Sequence, residues 1–296
     1  MKTKPIIGVS GKMGDGKDMI GEIIQYLYSG ADKVNIKFED WDGQPVWGTV
    51  HNDFHIATWE IKKFADELKD TLCRWLGCTR ADLESRGFKD TPLGEEWSRY
   101  IFEDKYSREE YNTKQEIYDN YTEMYNDEFL EKCIEEIVMT PRKMLQLLGT
   151  EAGRQIIHPN IWVNTLFAKY KDNGHYMKDT HPTQDNGWWE SDWPNWIITD
   201  VRFPNEVSMI KRKGGKVIKV TRPMEHKYLE LWRELMNDGE TSEDEFINRV
   251  KTYDYELYKK LTHDSEISLD GDRDWDHVIN NDGTIEELIE KVREIC

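Results

Sequence analysis

A short apolar run, Ile6-Ile7-Gly8-Val9-Ser10, leads straight into Gly11-Lys12-Met13-Gly14-Asp15-Gly16-Lys17. A Gly-x4-Gly-Lys string forms a phosphate loop when a strand precedes it and an apolar-periodic helix follows, and both contexts are met. Without a Cβ at the outer glycines, the backbone curls until successive N–H groups point inward, and the following helix adds its positive end. Gly11, Lys12, Met13, Gly14, Asp15 and Gly16 would form the cradle, with Lys17 reaching the β- and γ-phosphates of a nucleoside triphosphate. The competing reading is a tight structural turn. One position departs from the standard form. A Ser or Thr hydroxyl is expected after the lysine to meet magnesium, and Asp18 stands there instead, followed by Met19. A carboxylate beside phosphate is repulsive unless a cation or water lies between, so Asp18 either reaches Mg2+ through water or turns toward the protein.

Farther along, Trp196-Ile197-Ile198-Thr199 ends in Asp200 and reads as a buried strand. Pro204 and Asn205 start a helix through Val207, Met209 and Ile210, which Gly214-Gly215 closes before a strand at Lys216 to Val220. Strand, helix, strand in this order is what a parallel sheet with right-handed crossovers requires. Asp200 then lies at the carboxyl end of a strand, where open parallel sheets bind ligands, and is either a magnesium-directed carboxylate or a helix-capping aspartate. Arg202 is placed to hold an acceptor phosphate with a bidentate fork, and Arg142 and Arg154 flank another helix end at Leu147 to Thr150. The rest of the expected core is a helix from Lys17 to Leu27, a helix over Glu60 to Leu76 that could begin as a short strand, and a last strand at His277 to Ile279. After it, Thr284 and Glu287 form a capping box.

The expected organisation is an α/β core with parallel central sheet, helices on both faces and an inserted helical lobe or lid. Residues 1–79 form its first part, with a hairpin inserted at 34–58. Residues 80–140 form an acidic, tyrosine-rich helical lobe, and residues 141–296 complete the core around a long polar loop at 171–195. The chain has 296 residues and a formal net charge of −18, which argues against a nucleic-acid groove and against anionic membranes. Small phosphorylated ligands stay compatible, because a few convergent Arg and Lys make a local positive pocket. No apolar run is long enough to span a membrane and no signal-type segment precedes the loop. The four cysteines show neither a disulfide framework nor a CxxC pair. His51 and His55 lack the HExxH pattern and a third ligand, and Asp270, Asp272 and Asp274 lack the glycine and glutamate of a calcium loop. Transfer of a γ-phosphoryl to an acceptor phosphate needs neutralised oxygens and in-line placement but no strong general base, so an arginine-rich, base-poor site suits a nucleotide kinase.

Four stretches carry a family resemblance: Gly11 to Asp18, Leu147-Leu148-Gly149-Thr150-Glu151-Ala152-Gly153-Arg154, Thr199-Asp200-Val201-Arg202-Phe203-Pro204-Asn205-Glu206, and Val278 to Thr284. Through them the chain resembles the deoxynucleoside monophosphate kinases of tailed bacteriophages and, more distantly, dephospho-coenzyme A kinases and other P-loop small-molecule kinases. The resemblance implies a three-layer P-loop kinase fold, ATP as co-substrate, Mg2+, and a deoxynucleoside 5′-monophosphate as acceptor. It places Lys17 on the ATP phosphates and Arg154 and Arg202 near substrate phosphates, with Asp usual at the position of Asp18; Asp18 and Asp200 are read from their positions as the carboxylates that orient magnesium. Arg222 and Asn280 would border the adenine and Phe64 and Lys69 the monophosphate, with Arg142 a substrate-side candidate from its position alone. The departures are Met19, where such proteins commonly carry Thr, and the extra material at 34–58 and 171–195. The resemblance further implies work in the cytoplasm of a phage-infected bacterium, and a homodimer is the default assembly. A kinase acting on dephospho-coenzyme A and a non-catalytic nucleotide-binding regulator are the alternatives.

Overall fold

The computed structural model describes residues 5–44, 46, 59–171, 175–177, 188–190, 193–236, 242–272 and 274–296. Ten strands are found among them: β1 (Ile6–Ser10), β2 (Trp59–Lys62), β3 (Arg99–Glu103), β4 (Arg108–Tyr111), β5 (Ile134–Ile137), β6 (His175–Met177), β7 (Trp188–Glu190), β8 (Asn195–Val201), β9 (Lys216–Thr221) and β10 (His277–Asn280). Two compact units divide the chain, one made of Met1–Phe64 with Val163–Cys296 and the other of Ala65–Trp162.

In the first unit the strands lie in the order β10-β9-β1-β8-β2, every neighbouring pair parallel. This is the α/β core with a parallel central sheet that the sequence leads one to expect. Strands of such a sheet are buried on both faces, which is why Asn-Trp-Ile-Ile-Thr-Asp-Val in β8 reads as a nearly unbroken buried run rather than an alternation. On one face, Val9, Ile197 and Val220 pack against Ile20, Ile23 and Ile24 of the Lys17–Ser29 helix and Leu288 and Val292 of the Ile285–Arg293 helix. On the other, the Pro204–Arg212 helix comes so close that a Cβ at Gly8 would lie 2.6 Å from Ile210 Cδ1. Although β8 and β9 follow one another in the chain, they flank β1 on opposite sides. A crevice therefore opens at the carboxyl end of β1, the place where ligands of open α/β sheets bind.

Several segments differ from the sequence reading. The described part of 34–58 contains no strand. It makes short 3-10 turns at Asp32–Val34 and Phe38–Asp40, and Tyr26 takes up its aromatics edge-on, with Phe38 at 5.4 Å and Trp41 at 5.8 Å between ring centres. Residue 45 and residues 47–58, including His51 and His55, lie outside the described residues. At 59–62 the strand alternative holds, because pairing with β8 overrides the helical spacing of Ile61, and the helix begins only at Asp66. Of the 171–195 loop, β6 and β7 form a two-stranded antiparallel pair, and most of the remainder is outside the described residues. Gly271 and Asp274 belong to an irregular stretch in which no metal-binding group of three or more His, Cys, Asp or Glu forms among the described residues.

The second unit spans 65–162, wider than the expected 80–140 lobe, and is mixed rather than helical. Its antiparallel sheet has the order β4-β3-β5. Phe102, fully buried, stacks on Tyr121 at 4.1 Å, and Ile117 and Leu130 close the cluster. Tyrosines suit this acidic segment because their rings fill the core while their hydroxyls reach carboxylates: Tyr125 to Asp104 at 2.8 Å and Tyr118 to Glu131 at 2.6 Å. The Leu147–Ile157 stretch, expected as helix end and loop, is a π-helix that continues the Pro141–Gln146 helix. Wide turns of this kind are rare, and Trp162 explains this one: its indole donates to Gly149 O at 2.8 Å, and its ring leaves no room for a Cβ at Gly153.

Because Ile197 is fully buried in the middle of the sheet, Ile197→Ala is expected to lower stability by about 2–5 kcal/mol in denaturant unfolding. Val278, 59% exposed on the edge strand β10, provides the contrast, and Val278→Ala is expected to stay within about 0.5 kcal/mol.

Candidate functional site

The turn leaving β1 has the shape its glycines allow. Gly14 and Gly16 have φ of 81° and 95°, a region glycine enters without a Cβ penalty. Gly16 is also the N-cap of the Lys17–Ser29 helix, and no side chain caps that end. The positive pole of the helix is thus left to an external anion. A Cβ at Gly11 would lie 2.7 Å from Val220 O, and one at Gly16 would lie 2.5 Å from Asn281 Nδ2, so both glycines are also demanded by close approach.

Asp15 braces the loop from within. One of its carboxylate oxygens accepts the Lys12 N–H at 2.6 Å, and the other pairs with Lys227 Nζ at 2.9 Å. Both side chains of that pair are buried, at 4% and 5% exposure. The Asp15 carbonyl in turn accepts from Asn281 Nδ2 at 2.9 Å. Three elements, the turn after β9, the turn after β10 and the loop itself, are tied together by one aspartate.

Lys17 curls back over this frame, its ammonium donating to Gly11 O and Lys12 O at 2.7 Å each. Burial pushes its pKa down to about 8, helped by the positive charge of Arg202, while Glu266, Asp15 and Asp18 act in the opposite direction. The neighbouring Asp18 turns toward the protein: its Oδ1 accepts from Thr199 Oγ1 at 2.8 Å and pairs with Lys63 Nζ at 2.8 Å. Burial alone would raise the Asp18 carboxyl, but the Lys63 and Thr199 hydrogen bonds, with the charges of Lys63 and Lys17, hold it below the usual carboxylate range. Asp200 lies on β8 one residue before its end, and its Oδ1 accepts the Phe64 N–H at 2.8 Å.

Arg202 leaves the end of β8 and is aimed by a buried carboxylate. Glu206 accepts the Arg202 N–H at 2.7 Å and the Phe203 N–H at 3.1 Å, which fixes the start of the Pro204–Arg212 helix. The Arg202 guanidinium donates to Ser265 Oγ at 3.1 Å and to the Glu266 carboxylate. Glu266 also accepts the Met13 N–H of the phosphate loop at 2.5 Å, and Asp270 pairs with Lys12 at 2.9 Å. Lys12, Arg202, Ser265, Glu266 and Asp270 line a cavity of about 440 Å³ that extends past Arg222, Pro223, Asn280 and Asp282 at the ends of β9 and β10. That volume lies within the usual range for a small-ligand site. Asn280 accepts from Thr221 Oγ1 at 2.8 Å, and Arg222 is exposed on the rim.

Of the residues singled out from sequence, the loop, Lys17, Arg202, Arg222 and Asn280 thus converge at one end of the sheet, with Asp18 and Asp200 beside them. The ring of Phe64 is core, 3% exposed and set against Phe167 at 6.2 Å, and its backbone amide is the part that serves Asp200. Lys69, Arg142 and Arg154 belong to the second unit. Lys69 pairs with Glu84 at 2.7 Å, Arg142 forks onto Asp90 at 2.5 and 3.1 Å, and Arg154 sits half-buried in the π-helix. Sequence reasoning missed Lys63, Glu206, Lys227, Glu266 and Asn281. Glu206 had a signal, a glutamate three residues into a helix that starts at proline. For Lys227 and Glu266 no local pattern exists, since their partners are 212 and 64 to 253 residues away in the chain.

No protein-family model matches the chain. It is 30% identical over 160 residues to a protein of Acanthamoeba polyphaga mimivirus that carries the provisional name deoxynucleotide monophosphate kinase. That match takes in 52% of this chain and 59% of the viral protein, so it spans less than two thirds of that relative. Over 230 residues it is 26% identical to the deoxynucleoside-5′-monophosphate kinase of Escherichia phage T5, covering 70% of this chain and 71% of the phage protein. Through the Gly11–Lys17 turn on a five-stranded parallel sheet and these two viral matches, the chain is similar to the phage deoxynucleoside monophosphate kinases.

Proposed function

We propose that the protein transfers the γ-phosphoryl group of ATP to the 5′-phosphate of a deoxynucleoside monophosphate, giving ADP and a deoxynucleoside diphosphate. The observation that carries this reading is the convergence of an uncapped helix N-terminus, the Lys17 ammonium and the Arg202 guanidinium at the carboxyl ends of β1 and β8. Donors fixed before the reaction are what phosphoryl transfer demands, since its transition state spreads charge over the equatorial oxygens and asks for little covalent chemistry from the protein. Lys17 and the loop amides stabilise the charge that grows on the transferred group. Arg202 aligns the acceptor phosphate, which is already ionised near neutral pH and needs no general base. Arg222 and Asn280, on the far wall of the cavity, border the adenine. In the second unit, Arg154 is the acceptor-side cation to test, while Arg142 and Lys69 would have to give up Asp90 and Glu84 to serve a phosphate.

Magnesium, as this chemistry requires it, takes oxygen ligands, keeps several waters and needs only one or two carboxylates. Asp18 and Asp200 suit such a set, Asp18 because Lys63 and Thr199 keep it ionised and Asp200 because the Phe64 amide fixes its position. When bound, the ion would neutralise the β- and γ-phosphate oxygens. With a net charge of −18, the proposed ligands are free nucleotides rather than nucleic acid. No helix among the described residues is long and apolar enough to cross a membrane. The cytoplasm of an infected bacterium as the working place, and a homodimer as the assembly, belong to the same proposal.

ADP formation measured with dAMP, dGMP, dCMP, dTMP and modified pyrimidine monophosphates, with dephospho-coenzyme A as control acceptor, tests the reading directly; activity on the control alone would overturn it. Lys17→Met is expected to leave the unfolding midpoint near wild type and to cut turnover by about 10²–10³ or more. Arg202→Ala should lower kcat/KM for the monophosphate by about 10²-fold while changing ATP affinity much less; equal losses for both ligands would remove Arg202 from the acceptor clamp. The depressed pKa of Lys17 fixes the sign of a pH effect. Phosphate favours the protonated ammonium, so binding takes up a proton wherever free Lys17 has lost it. ATP affinity is therefore expected to be flat below pH 8 and to fall above it, approaching about tenfold per pH unit. Lys17→Met should abolish that slope.

A further inference from the structure

Glu266 engages the turn after β1 with a carboxylate. Its carboxylate accepts the Met13 N–H of the loop, pairs with Arg202 and lies close enough to Lys17 to raise that ammonium's pKa. The carboxylate is almost fully enclosed, at 7% side-chain exposure, whereas the other acidic contact on the loop, Asp270 to Lys12, is half exposed and contributes little. An amide hydrogen engaged by one acceptor is lost to another, so a phosphate entering this position must displace Glu266.

The segment that carries Glu266 is built to yield. It lies on a single helical turn, Asp264–Ile267, between two buried apolar anchors, Leu261 and Leu269, and no apolar side chain between those anchors is buried. Ile267, the one apolar side chain within it, is 43% exposed. A stretch with so little apolar contact opens at low free-energy cost. Asp264, Glu266 and Asp270 also give it a local negative charge, so an incoming polyphosphate both competes for the donors and repels the group that holds them.

We infer that Glu266 is an internal anion that closes the phosphate loop in the free protein, and that the 262–268 turn is a gate opened by the nucleotide's phosphates. This rests on the nucleotide-binding reading above and adds its regulation: the two cations nearest the transferred group, Lys17 and Arg202, stay neutralised until a ligand with enough negative charge releases them. Small monovalent anions, which deliver less charge to the same donors, are shut out.

The test is calorimetric binding of the non-hydrolysable ATP analogue AMP-PNP, with Mg2+, to wild type, Glu266→Gln and Glu266→Asp. Glu266→Gln keeps the shape and removes the charge, and is expected to bind AMP-PNP about tenfold more tightly, the equivalent of one charge-assisted hydrogen bond no longer displaced. Glu266→Asp, one methylene shorter, is expected to fall between the two. If wild type binds the analogue and Glu266→Gln binds it equally or more weakly, the gate is wrong and the nucleotide site stands. If neither binds it, both readings fall. Hydrogen exchange on wild type supplies a check that does not depend on a variant folding. Amides of 262–268 are expected to exchange faster when AMP-PNP is added, and unchanged or slower exchange there would overturn the gate.

Discussion

An uncapped helix N-terminus directly behind a central parallel strand is the constraint from which the rest of the structure follows. Backbone amides that lack an internal acceptor cost free energy unless something negative meets them, and placing a lysine among them adds a charge that burial disfavours. Every unusual feature around β1 serves that arrangement. Gly14 and Gly16 take the positive φ values that turn the loop inward, and Gly11 lets it press against the Val220 carbonyl. Lys17 turns its ammonium onto two loop carbonyls, and Glu266 supplies a negative charge.

Such a loop would collapse or fray if only its own backbone held it. Asp15 prevents this with a carboxylate that is shared between the loop amide of Lys12 and the buried ammonium of Lys227. A buried ion pair is no reliable source of stability, because desolvating both charges cancels much of their attraction. What it does supply is geometry: neither partner can leave without stranding the other. Asn281 adds a second tie, its Nδ2 donating to the Asp15 carbonyl. The loop is therefore shaped before any ligand arrives, which lowers the ordering cost of binding.

How much of this could be read from sequence follows from the range of the interactions. The glycine turn between β1 and the Lys17–Ser29 helix, β8, the Pro204–Arg212 helix and β9 are local patterns, and these elements are present as expected. Trp59–Lys62 could not be decided locally because its strand state comes from pairing with β8, more than 130 residues away. Within the described part of 34–58, Phe38 and Trp41 cover Tyr26, a helix residue, rather than build a ladder. In the second unit, acidic residues with few aliphatic runs looked helical, yet Tyr100 and Phe102 on β3 gather a tyrosine core that needs no long apolar stretch. The site shows the same division. Lys17, Asp18, Asp200 and Arg202 are named by motif, but their partners Lys63, Thr199 and Glu266 are revealed by no spacing.

Asp18 illustrates why the departure from the common loop sequence is tolerable. A hydroxyl after the lysine would meet the metal directly and carry no charge to manage. A carboxylate in that place brings a negative charge toward phosphate and must be held. The structure holds it from two sides, with the buried Thr199 hydroxyl from β8 and the Lys63 ammonium just past the end of β2. Thr199 thus returns to the site the hydroxyl that position 18 lacks, one strand over and pointed at the carboxylate. In an isolated loop Asp18 would oppose nucleotide binding. Anchored between β2 and β8, its negative charge is held by Lys63, Thr199 and Lys17.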